Sequence, residues 1–231
     1  MDKLQFINDD ISYLFRQNIV EYDMQSASLA VSERFNLIDS NRLDELKNMT
    51  KKKRVVEVGM MQKDKEFSDA LINAIIKTRQ EFLDMNHIKE SNIIALHSDA
   101  IIFNNNSPIK TRIDNVEFIL KSEWTSYIKY RNVEIYYGDG VITYKGIPRE
   151  MLKLHTLGIN LFLAKVFSMV ENNDYSVIKY VKKTMKLYLS DKLPACYYMP
   201  FGNIKSDGRM ENLNFFSHII KILVRDISNE W

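Results

Sequence analysis

Residues Asn92–Asn104 read NIIALHSDAIIFN, two apolar runs joined by Ser98 and Asp99. Ile93, Ile94, Ala95 and Leu96 enter the polar pair, and Ala100, Ile101, Ile102 and Phe103 leave it. Short β-rich runs on either side of a polar pair predict a tight hairpin with one carboxylate at its tip. Upstream, Glu66–Asn86 carries Phe67, Ala70, Leu71, Ala74, Ile75, Phe82 and Met85 on one helical stripe, with Lys77, Arg79 and Glu81 off it. Asn86 is the expected left-handed terminator. A long amphipathic helix feeding an apolar hairpin is an α+β packing unit: the helix covers one sheet face and leaves the other free.

A second carboxylate, Asp23, closes the apolar run Ile19–Asp23 and precedes a short helix over Ser26–Arg34. Before it, Leu4, Ile7, Ile11, Leu14 and Phe15 have the spacing of a helix over Leu4–Arg16. Leu37, Leu43 and Leu46 suggest another short helix, with Asp39 or Ser40 as its cap. The run Lys51-Lys52-Lys53-Arg54 is the sharpest local charge in the chain. After the hairpin, Val116–Leu120, Trp124–Tyr130, Val133–Tyr137 and Val141–Tyr144 read as strands, the last two joined by Gly138-Asp139-Gly140. The pattern then becomes helical: from Pro148 to Glu171, from a cap at Asp174 to Ser190, and from Glu211 to Ile227. The expected organisation is an α+β domain over residues 1–146 and a helical domain over 147–231.

The balance of 32 Lys and Arg against 30 Asp and Glu gives a net charge of +2, too mild to imply nucleic-acid binding by itself. A lone Cys196 excludes an internal disulfide and fits a reducing compartment. Acids appear early in the N-terminal stretch, which has no signal-peptide pattern, and no apolar run reaches the roughly 20 residues of a membrane span. The expectation is a soluble cytoplasmic protein without a membrane partner.

The order of these pieces resembles the palm and thumb of family B DNA polymerases. Asp23-Met24-Gln25-Ser26 matches the D-x-x-S of the first polymerase motif, and Leu96-His97-Ser98-Asp99-Ala100 is similar to a reduced third motif, with Asp99 as its essential aspartate. Tyr127-Ile128-Lys129-Tyr130-Arg131 resembles the K-x-Y element that contacts primer, and Lys145-Gly146-Ile147 the Lys-Gly-Ile that leads into the thumb. The interval between Asp23 and Asp99 leaves little room for fingers, the second motif is not recognisable, and there is no room upstream for an exonuclease domain.

The resemblance implies an antiparallel-sheet palm packed with helices, then a helical thumb. It implies a minimal template-directed nucleotidyltransferase, or one subunit of a split polymerase, with other polymerase subunits as partners. Asp23 and Asp99 would hold two Mg2+ or Mn2+ ions about 4 Å apart. A further carboxylate would come from Glu117 or Glu123. Ser26, Ser28, Arg54, Lys63 and Lys65 would bind the nucleoside triphosphate, the cations neutralising phosphate charge. Lys129 and Tyr130, with Lys182 and Lys183 on a basic helix face, would contact primer-template or single-stranded nucleic acid. The reduced, Asn- and Lys-rich chain suggests a virus or mobile element, acting in the host cytoplasm if viral. Each aspartate alone reads first as an ordinary turn or strand-end residue, and only the pair points to a cation site. The alternative function is a non-catalytic nucleic-acid-binding, replisome or virion subunit on a degenerate palm.

Overall fold

The structure is a computed structural model, and it describes residues 3–130, 133–146, 157–198, 201–204 and 210–213. These residues form an α+β fold of antiparallel strands and six α-helices. Two compact units are formed, one by Met1–Asp10 with Asn18–Glu123 and the other by Ile11–Gln17 with Trp124–Trp231. Strands β2 (Tyr13–Met24) and β6 (Val116–Tyr130) contribute residues to both.

In the first unit the strands lie in the order β1 (Gln5–Ile7), β3 (Ile93–His97), β4 (Ala100–Asn104), β2, and β2 is followed by β6, which also pairs with β5 (Arg112–Ile113). The hairpin expected around Ser98 and Asp99 is β3–β4, and Ser98 makes its turn at φ 54°. Within the segment expected as a helix over Leu4–Arg16, Gln5–Ile7 and the residues from Tyr13 on are strand and those between are turn and coil, with Phe6 opposite Leu96 in the β1–β3 ladder. Leu4 and Phe6 pack on the same apolar cluster as β3 and β4, so pairing with a buried neighbour overrode a moderate helical spacing.

Helices α1 (Ala27–Arg34), α2 (Ser40–Asn48), α3 (Lys51–Met61) and α4 (Lys65–Met85) complete this unit. Asp39 caps α2 by accepting from the Arg42 amide, and Asp64 caps α4 by accepting from Glu66 and Phe67. Leu71, Ala74, Ile75 and Phe82 of α4 meet Val20, Leu96, Ile101 and Phe103 of the strands, and the Phe82 and Phe118 rings stack at 4.1 Å. Asn86 closes the helix at φ −97°, and the left-handed residue is His87 at φ 53°. Arg79, expected off the apolar stripe, is 1% exposed. Its position four residues after Ile75 and three before Phe82 puts it on the buried stripe, whatever its charge.

In the second unit β6 pairs with β7 (Val133–Gly138), and β7 with β8 (Val141–Lys145). The β7–β8 turn is made by Asp139 at φ 50° and Gly140 at φ 76°, the paired left-handed geometry that suits a two-residue hairpin. Ile128, Val133, Ile135 and Tyr137 share a core with Phe162, Leu163, Val166 and Phe167 of α5 (Leu157–Glu171) and Val177 and Val181 of α6 (Val177–Leu189). Trp124 stacks on Tyr136 at 4.3 Å, and Tyr127 meets Tyr136 in a tilted pair at 5.0 Å. Gly146, where a domain boundary was expected, falls inside this unit. The expected helix start at Pro148 lies outside the described residues. Glu211–Leu213, expected as the start of a helix, belong to strand β10 (Met210–Leu213), which pairs with β9 (Phe201–Ile204); the rest of that expected helix lies outside the described residues.

Candidate functional site

Strands β2 and β4 are antiparallel neighbours, and their register sets Asp23 opposite Ala100, the residue after Asp99. The Met24 amide donates to the Asp99 carbonyl at 3.2 Å, tying the end of β2 to the hairpin turn. Strand alternation sorts the side chains: Tyr22 packs on Phe82 and Phe103 under α4, so Glu21 and Asp23 project from the opposite face. The two sequence-identified aspartates are therefore brought together.

Lys121 on β6 reaches into this acidic corner. Its ammonium lies 2.8 Å from Asp23 Oδ2 and 3.9 Å from Glu21 Oε1. The hydrogen bond to Asp23 raises the Lys121 pKa, with Glu21 and Asp99 acting in the same direction through space. Glu21 has a side chain only 4% exposed. The third carboxylate of the corner is thus Glu21, rather than Glu117 or Glu123, which are exposed residues of β6. The signal was present in the sequence, because Glu21 stands two residues before Asp23 and shares its strand face.

Burial raises the Asp99 pKa, Asp23 adds to the rise, and Lys121 and Arg79 oppose it. The buried Arg79 guanidinium braces the turn from below. Nη1 donates to the Ser98 carbonyl at 2.5 Å and the Leu4 carbonyl at 2.8 Å, and Nη2 donates to the Lys3 carbonyl. Burial lowers the Arg79 pKa to about 10, and the Asp99 carboxylate acts against that fall.

Beside Asp99 opens a pocket of about 260 Å³ between the start of α1 and one face of α3. Ser26, in the left-handed region at φ 52°, turns the chain into α1 and presents Ser28 to the cavity. From α3 come Lys51, Arg54, Val55, Val58 and Gly59, at the three- and four-residue spacings that share one helix face. The pocket is bipolar, with two cations in the first turn of α3 and a carboxylate at the Asp99 turn. The basic run of residues 51–54 is therefore the opening of a helix. Among the expected nucleotide-binding residues, Ser26, Ser28 and Arg54 line this pocket; Lys63 and Lys65 are exposed where α4 begins and do not. Lys51 lines it instead, because α3 carries the chain past the cavity before α4 starts.

The remaining candidates belong to the second unit. Lys129 is buried and pairs in register with Glu134 across β6–β7. The Tyr130 side chain lies outside the described residues. Lys182 and Lys183 are exposed on α6.

Among the described residues, no three His, Cys, Asp or Glu side chains form a group able to hold a metal ion by themselves, and no helix is long and apolar enough to cross a membrane. No curated protein matches the chain. The family model described as Bacteriophage PBS1 gene 130 protein matches residues 1–221 of the 231, and on that match the chain belongs to this phage protein family.

Proposed function

We propose that the first unit is a reduced polymerase-type palm whose pocket binds a nucleoside triphosphate and whose Asp23 and Asp99 hold the divalent cation for nucleotidyl transfer. One observation carries the reading: Ser26, Ser28, Lys51 and Arg54 line a single cavity that ends at Asp99. The donor set fits a hard cation. Asp23 already accepts a cationic group at 2.8 Å, from Lys121, and Asp99 stands beside it across the strand pair. Magnesium is commonly held by one or two carboxylates, with water and substrate phosphates completing the shell. A bound Mg2+ or Mn2+ supplies charge neutralisation at the phosphates and activation of the attacking hydroxyl.

The chain's own groups do the rest. Lys51 and Arg54 bind phosphate oxygens and stabilise the charge that builds on them. Val55 and Val58 give the cavity an apolar wall for the sugar and base to lie against. Ser28 stands where the resemblance expects a tyrosine that blocks a ribose 2′-hydroxyl, and its own hydroxyl can pair with that group. The helical region of the second unit acts as a thumb that holds the single-stranded part of the template. The reaction takes place in the cytoplasm of the phage's host, with other polymerase subunits as partners.

The test is primer extension by purified protein with Mg2+ or Mn2+, a primed template and all nucleotides. Extension that disappears with Asp23→Asn and with Asp99→Asn is expected. Equal extension by the variants would remove the proposal. A second reading, a non-catalytic nucleic-acid-binding subunit, is favoured by Lys121, which already neutralises Asp23. Nucleic-acid binding without extension would select it.

A further inference from the structure

We infer that the outer face of α6 is a binding surface for single-stranded nucleic acid, independent of the nucleotide pocket. Lys182, Lys183 and Lys186 stand three, four and seven residues after Lys179, so all four ammonium groups share one face. Together with Tyr175 and Ile178 they line one open recess. Tyr175 is 71% exposed, at the start of the lysine row. Among the described residues none of the four lysines has an ion-pair partner. A row of cations beside an exposed aromatic ring has the chemistry of a strand platform, in which lysines follow the phosphates and the ring takes a base face.

The other side of α6 narrows the choice of partner. Val177, Val181 and Tyr188 are buried in the core of the second unit. That apolar face is spent inside the protein, and the large apolar side chain that α6 leaves exposed, Leu189 at its C-terminal end, is too little to insert into a lipid surface. A duplex is disfavoured because its base faces are stacked inward, which leaves Tyr175 nothing to stack on. The lysine row from 179 to 186 spans about 10 Å of helix axis. That matches roughly three nucleotides of a stacked strand at 3.4 Å each.

The experiment is fluorescence anisotropy of the full chain with a labelled oligothymidylate, a duplex of equal length and vesicles of phosphatidylserine and phosphatidylcholine, without nucleoside triphosphate or divalent cation. Salt-sensitive binding of the single strand, tighter than the duplex, is expected. Lys182→Gln with Lys183→Gln should weaken it about tenfold and flatten its salt slope. Tyr175→Ala should weaken single-strand binding about fivefold or more while leaving the salt slope unchanged. Asp99→Asn should bind like the parent, so that failure of the pocket reading leaves this result untouched. The exposed substitutions are chosen to keep the fold, which circular dichroism melts check. Equal or tighter duplex binding, indifference to Tyr175→Ala, or binding to vesicles but not to the oligonucleotide would each overturn the inference.

Discussion

Lys121 and Asp23 form an ion pair at 2.8 Å, reaching from β6 to the end of β2, and the ammonium also faces the buried Glu21 at 3.9 Å. The corner is therefore part-neutralised by the chain itself. Lys121 is half exposed, so solvent screens the pair, and Lys121→Met should lower stability by about 1 kcal/mol or less. Because folding raises the Lys121 pKa, the contribution is present in full below the ordinary lysine value and is lost as pH rises through the raised one. The gap between parent and variant should hold at neutral pH and close only above about pH 10. Added Mg2+ should raise the melting temperature of Lys121→Met more than that of the parent, since a free Asp23 takes the cation better.

Asp99→Asn should stabilise the protein at pH 7. Burial and Asp23 raise the Asp99 pKa, so the ionised form opposes folding. The sign follows from linkage: a raised carboxyl favours the fold below its unfolded value, and that benefit is lost as pH rises through the folded value. Removing the charge should raise the melting temperature at pH 7 by about 2 °C, and the gain should vanish below about pH 4. A loss of stability at pH 7 would show that Asp99 is kept for its structural contacts.

Arg79→Met should be among the most damaging substitutions in the first unit. It removes the Arg79 donor from the carbonyls of Lys3, Leu4 and Ser98, at a cost of about 3 kcal/mol or more by denaturant titration. Amide exchange should accelerate at Ser98, whose N–H donates to the Leu4 carbonyl. Arg79→Lys should recover part of the loss, because an ammonium cannot span all three acceptors.

Ser28 lines the pocket with Asp99, and on the proposed nucleotidyltransferase reading its small side chain leaves room for a ribose 2′-hydroxyl. The parent should incorporate ribo- and deoxyribonucleotides with little discrimination. Ser28→Tyr should shift the ratio towards deoxyribonucleotides. Strong deoxyribonucleotide selectivity in the parent would mean that another residue forms the gate.

Gly158 on α5 should resist substitution. A Cβ there would stand 2.6 Å from the Cys196 carbonyl oxygen and 2.8 Å from the Tyr197 Cα, both backbone atoms. Gly158→Ala must move α5 away from the turn at Ala195–Tyr197, and a loss of about 1–3 kcal/mol is expected in thermal or chemical melts.

Sequence periodicity alone determined the hairpin at Ser98-Asp99, the long helix α4 and the strand–turn–strand over Val133–Lys145, while it left the α2 cap open between Asp39 and Ser40 and read two strands where β6 is one. These are local signals: side chains two, three or four residues apart share a face whatever surrounds them. Glu21 belonged to this class too, two residues before Asp23. Tertiary structure decided what local pattern leaves open. Gln5–Ile7 became strand because β3 offers an edge to pair with. Arg79 turned inward because three backbone carbonyls and Asp99 compensate its burial. Asp23 met Lys121, a partner 98 residues away. The pocket depends on α3 carrying Lys51 and Arg54 past the Asp99 turn, a meeting of distant segments that no residue spacing encodes. Sequence fixes which face a side chain takes; the folded chain fixes what that face meets.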